Sequence, residues 1–186
     1  MENPKLKFLN KATSETKVSL GMGALVVKGY RIQVENCTRL NGVKKTKKPA
    51  LPIEEQEVLL ELRADCGLWS CPGGGLIPGE NIEECVKREV KEETNIDIIV
   101  DNLFSVYSDP KIGCVRHYLE DSFSQQMIDI ILMSLPISNK IKKSEESLDV
   151  KFFKFDDIPD NLTPIMEVAI KDYKATYRLN GKPILR

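Results

Sequence analysis

The chain predicts a mixed α/β or α+β sandwich built as one domain. Three observations carry that expectation. Apolar, β-branched segments of strand length dominate the first two thirds of the sequence. Two segments with helix start signals stand between and after those strands. A length of 186 residues suits a single compact core.

In chain order, residues 1–16 are polar and read as a loose lead-in to a domain expected over residues 17–178. Residues 18–27 (VSLGMGALVV) read as a strand. A polar stretch at about residues 35–56 follows, with Lys44, Lys45, Lys47 and Lys48 and then Pro49 and Pro52; it reads as an inserted loop. Residues 58–63 (VLLELR) form the next strand, and the glycine- and proline-rich residues 65–79 a turn-rich loop. Residues 82–94 read as a helix. Residues 98–107 alternate as a strand does, with Asp101 and Asn102 interrupting them. Residues 127–135 (MIDIILMSL) suit a central strand, and residues 150–155 another, ended by Asp156, Asp157, Ile158 and Pro159. Thr163 can cap a last helix that has Pro164 in its first turn and Ile165, Val168, Ala169 and Tyr173 at helical spacing. Residues 179–186 are a tail.

Composition narrows the function classes. Hydrophobic residues make up 41% and charged residues 30%, a soluble, globular balance. With 27 basic and 28 acidic residues the net charge is −1, which calls for neither nucleic acid nor a membrane as partner. A small anionic substrate would need positive charge placed locally. No apolar run is long enough to span a bilayer and the first residues lack a signal-peptide layout, so a cytoplasmic location is expected. The five cysteines are irregularly spaced and His117 is the only histidine, a pattern of free thiols and not of a zinc site.

The helix at residues 82–94 carries the chemistry. Asn81 is a good N-cap, and Glu84 can complete a capping box. Asn95 suits the left-handed residue that ends many helices. At about 100° per residue, Ile82, Cys85, Val86 and Val90 form a core-facing stripe. Glu83, Glu84, Lys87, Arg88 and Lys91 fall mostly on the opposite side. Glu89, Glu92 and Glu93 continue the apolar stripe. Carboxylates packed together on an inward side repel, and a divalent cation resolves the conflict. Hard oxygen ligands favour Mg²⁺, with Mn²⁺ as a possible substitute, over zinc. Arg88 can hold Glu92 or a neighbouring acid, and the glycines after Pro72 let backbone approach a ligand closely.

This pattern resembles the signature of the Nudix hydrolase family: Gly74, Glu80, Arg88, Glu89, Val90, Glu92, Glu93 and Ile96 match eight of its nine fixed positions. Asn95 stands where the family has Gly, and Asn is the best non-glycine choice for that conformation. Trp69 ahead of the glycines, Arg63 at the end of the preceding strand, and Glu146 with the aromatic and acidic segment after it extend the resemblance. The longer insertion at 35–56 is the main departure.

The resemblance implies an α/β/α sandwich with a mixed β-sheet and a catalytic loop-helix-loop. It implies hydrolysis of a nucleoside diphosphate linked to another moiety, by attack of water on phosphorus. Glu89 and Glu93 would be principal metal ligands, Glu92 a ligand or the group that orients water, and the Gly73 carbonyl a further ligand. Glu92, Glu93 and Glu146 are the candidates for general base. Arg63, Gly74 and Trp69 are candidate substrate contacts; Arg116 or the lysines at 44–48 could also meet phosphate, and Trp69 could instead be core. Pro110 in Ser108-Asp109-Pro110 resembles ADP-ribose-type pyrophosphatases, though a plain turn explains it equally well. Rival readings are a nucleoside triphosphate or dinucleoside polyphosphate hydrolase and a non-catalytic ligand-binding module. A homodimer is possible, as in many relatives.

Overall fold

A computed structural model describes residues 4–30, 51–178 and 182–186, with side chains given for all of these except 176–178. The twelve-residue strand β2 (Lys17–Lys28) runs parallel to β8 (Phe123–Pro136), in register from Lys17–Gln125 to Val26–Ser134. On its other edge β8 pairs antiparallel with β6 (Ile98–Tyr107) and then with β7 (Val115–Tyr118). The end of β2 pairs with β3 (Glu57–Arg63), which also pairs with β9 (Ser147–Lys154) and the short β4 (Trp69–Ser70). Strand β5 (Gly73–Gly74) pairs with the middle of β2. The sheet is therefore mixed, as expected.

Helix α1 (Ile82–Thr94) covers one face of this sheet and α2 (Pro164–Arg178) the other. Strand periodicity explains the division. In β2, Ala24 and Val26 belong to the core with Cys85, Val86 and Val90 of α1, while Leu25 and Val27 belong to the core with Met166, Ala169 and Tyr173 of α2. In β3, Leu59 joins the first core and Val58 and Leu60 the second. Runs such as ALVV and VLL are apolar on both faces because each face is covered by a helix.

Two expectations need correction. The lead-in is not loose throughout, because β1 (Leu6–Leu9) pairs antiparallel with β7, and Leu6 is buried. Within the tail, β10 (Ile184–Leu185) pairs parallel with β6, and Arg186 grips Asp172 through Nε and Nη2 at 3.0 and 2.8 Å. Ile82, placed on the core stripe by periodicity, is 40% exposed, because it lies in the first turn, ahead of the buried stripe that begins at Cys85. The interruption at Asp101 and Asn102 is a register shift within a continuous β6. Most of the inserted loop, with Lys44, Lys45, Lys47 and Lys48, lies outside the described residues; its end, Ile53–Glu55, is a 3-10 turn. Among the described residues, no helix is long and apolar enough to cross a membrane.

Candidate active site

Both ends of α1 are fixed as its sequence requires. The Asn81 side chain accepts from the Glu84 amide at 3.0 Å, and the Asn81 amide donates to the Glu84 carboxylate at 2.9 Å. Asn95 takes the left-handed conformation, φ 60°, and its side-chain amide donates to the Lys140 carbonyl at 2.7 Å.

Between those caps the three signature glutamates occupy different depths. The Glu93 side chain is buried, Glu89 is 14% exposed and Glu92 is 60% exposed. Glu93 Oε2 accepts from the Gly73 amide at 2.7 Å. The glycine loop can come this near because a Cβ on Gly73 would stand 2.1 Å from the Met22 carbonyl oxygen, and one on Gly74 2.5 Å from the Glu89 carboxylate. Burial pushes the Glu93 carboxyl up to about 9, with the Glu61 carboxylate adding to the rise. Burial also raises Glu89, against the pull of Arg88.

Arg88 ties the site together. It donates to both oxygens of Glu80, at 2.6 and 3.0 Å, to Glu92 at 3.0 Å and to the Gly75 carbonyl at 3.1 Å; it also lies 2.8 Å from Glu89. Across a cleft of about 490 Å³, Glu146 faces the helix, and Arg63, Glu89, Glu92 and Glu93 line the same space. The structure thus brings together Arg63, Gly73, Gly74, Arg88, Glu89, Glu92, Glu93 and Glu146. Among the described residues, no three His, Cys, Asp or Glu side chains already surround one cation position, since Arg88 draws Glu89 and the Gly73 amide holds Glu93. The chemistry of the donor set nevertheless fits a hard divalent cation: oxygen donors only, two of them in or near the core, with burial disfavouring their charge.

A second cleft, of about 380 Å³, shares Arg63 and Gly73–Gly75 with the first and opens on the α2 side of the sheet. Phe8, Tyr118, Gln125, Arg116 and Asp129 line it. Arg116 donates to Asp129 Oδ1 at 2.8 Å, and Asp129 Oδ2 is buried without a hydrogen-bond partner among the described residues. Arg63 is clamped by Asp65, its Nε and Nη2 donating at 3.0 and 2.6 Å.

Trp69 does not join these groups. It is 7% exposed, packs edge-on against Phe153 at 4.8 Å between centroids, and lines neither cleft, so its role is core packing. The Ser108-Asp109-Pro110 turn is a capped 3-10 turn in which the Asp109 side chain accepts from the Lys111 amide. His117 meets Ser124 on β7 and β8. Cys66, Cys71, Cys85 and Cys114 are free thiols. Glu61, outside the signature, has its Oε1 3.7 Å from Nη1 of Arg63, a residue that lines both clefts. Glu61 is 1% exposed on β3, on the same face as Leu59. In the sequence it stands out as a charged residue at a core position of VLLELR.

A glycine turn set against a helix that ends in carboxylates at graded depths defines a Nudix-type hydrolase domain. The NUDIX domain family matches residues 49–173, and the chain belongs to that family. It is similar to an ADP-ribose pyrophosphatase of Methanocaldococcus jannaschii, 28% identical over 79% of this chain and 78% of the relative. A human NAD-capped RNA hydrolase is 27% identical over 84% of this chain, which spans 33% of that longer protein. A Bacillus subtilis protein provisionally described as an 8-oxo-dGTP diphosphatase is 38% identical over 41% of this chain and 52% of its own length. A solved NUDIX hydrolase from Nitrosomonas europaea shares the fold, with a TM-score of 0.61 over 92% of this chain and 80% of the other at 17% identity.

Proposed function

We propose that the chain hydrolyses a nucleoside diphosphate linked to a further group, ADP-ribose or a close relative, with Mg²⁺ as cofactor and Mn²⁺ as a substitute. The observation that carries this reading is the pair of signature carboxylates set against a glycine loop, buried Glu93 bonded to the Gly73 amide and Glu89 close to Gly74. The likeness to an ADP-ribose pyrophosphatase over most of both chains supports the substrate class.

Glu89 and Glu93 would hold the cation, with the Gly73 carbonyl beside them. Bound there, a divalent cation supplies charge for the diphosphate and activates water. Arg88 orients Glu89 and Glu92 and fixes the loop through Gly75. Glu92 and Glu146 reach the open cleft, whereas Glu93 is buried and tied to Gly73, so the first two are the better general bases. The base takes a proton from water as its oxygen forms a bond to phosphorus and the bridging P–O bond breaks. Arg63 and the loop amides lie where the two clefts meet, a position suited to the diphosphate. The second cleft, with Phe8 and Tyr118, suits the nucleoside arm.

A second reading, nucleoside triphosphate hydrolysis, draws support from the Bacillus subtilis relative. A panel of ADP-ribose, other nucleoside diphosphate conjugates and nucleoside triphosphates, assayed with Mg²⁺, decides between them. Nucleoside monophosphate released from ADP-ribose supports the first reading, and turnover of triphosphates alone supports the second. No hydrolysis of any member by protein with metal bound would leave the non-catalytic module in place.

A further inference from the structure

Resting on the cation site just proposed, we infer that Glu61 is a further ligand to that cation, through Oε1, so that the site extends from the loop and helix into strand β3. Glu61 lies outside the signature and on the face of the sheet that α1 covers. Its Oε2 accepts from the Ser147 hydroxyl at 2.7 Å, and Ser147 is itself buried. Its Oε1 is buried and has no hydrogen-bond partner among the described residues. The nearest cation, Arg63 Nη1, stands at 3.7 Å, beyond hydrogen-bond reach, while the Nε and Nη2 of that guanidinium are engaged by Asp65.

A purely structural role fits this arrangement poorly. An ionised Oε1 lacks a donor, and a protonated Oε1 lacks an acceptor, so either form leaves a buried polar atom unsatisfied. A ligating carboxylate has one oxygen on the metal and the other held by a neighbouring donor, which matches an open Oε1 beside an Oε2 fixed by Ser147. The surroundings agree. Glu61 pairs across the strands with Ser70, three residues before the Gly73 whose amide holds Glu93. Its carboxyl is raised, by burial first, and the Glu146 carboxylate adds to that rise.

The test is Mn²⁺ binding to the full chain, stripped with a chelator and dialysed, with free Mn²⁺ counted by electron paramagnetic resonance. Glu61→Gln is expected to bind Mn²⁺ at least about tenfold more weakly than the wild type, and Ser147→Ala to weaken binding in the same direction. Circular dichroism checks folding. If Glu61→Gln does not fold, Glu61→Asp, which withdraws the carboxylate, is expected to weaken binding as well. Wild-type affinity and stoichiometry in the folded variant would overturn the role of Glu61 while leaving the signature site standing. A wild-type protein that binds no Mn²⁺ would overturn both.

Discussion

Two buried polar clusters lie on opposite faces of the same sheet, and they are completed differently. Under α2, the Tyr107 hydroxyl donates to Asp172 at 2.9 Å and Arg186 grips the same carboxylate with two nitrogens. The Tyr173 hydroxyl donates to Gln56 on that side too. Under α1, Glu61 and Glu93 are buried as deeply, yet the cation beside them, Arg63, is committed to Asp65. A buried charge is costly unless paired and hydrogen-bonded. The α2 cluster meets that condition within the chain. The α1 cluster does not meet it within the described residues, and the proposed cation would complete it.

The largest break in this contrast is expected from Glu93→Gln. Hydrolysis with Mg²⁺ should fall about a thousandfold, the scale of several kcal/mol of lost charge stabilisation. The thermal midpoint of the metal-free variant should not fall, because a buried acid is exchanged for a neutral amide. A lower midpoint in calorimetry would make Glu93 a structural residue like Asp172.

The pH dependence of stability follows from the same carboxyl. Burial raises folded Glu93 from 4.5 to about 9, so the folded state holds a proton that the unfolded state gives up at lower pH. Without cation, stability should decline as pH rises between those values; saturating Mg²⁺ should reduce or reverse the decline. Denaturant midpoints measured across that range with and without Mg²⁺ check the sign.

On the completed side the effect is smaller. Tyr107→Phe removes one buried hydrogen bond and should cost about 1 kcal/mol in urea melts, with Mg²⁺ affinity unchanged. A shift in affinity would show that the two faces are coupled.

Much of this was legible in the sequence because it is local. The α1 caps, its buried stripe from Cys85 to Val90 and the glycine loop all follow from residues within one segment. What was missed is non-local. Leu6–Leu9 and Val115–Tyr118 are four-residue strands whose pairing depends on each other, and Ile184–Leu185 is a strand only because β6 offers an edge. The depth of each glutamate was also hidden: helical periodicity put Glu92 on the inward arc, while the structure leaves it 60% exposed at the cleft. The bond from Ser147 to Glu61 was hidden too, since it depends on β3 pairing with β9 across some eighty residues of chain. Asn95, the one departure from the signature, was readable in full, since its left-handed conformation suits Asn. Asn95→Gly should accordingly have the smallest effect, within roughly 0.5 kcal/mol in the same melts, as the relaxed backbone offsets the lost bond to Lys140.

The most direct test of the unfinished α1 cluster is the number of protons released when Mg²⁺ binds the full chain at neutral pH. Isothermal titration in buffers of different ionisation enthalpy reads that number. With the Glu93 carboxyl raised before binding, protons should be released, and Glu93→Gln should lower their number. Binding of Mg²⁺ with no proton released by the wild type would contradict the account.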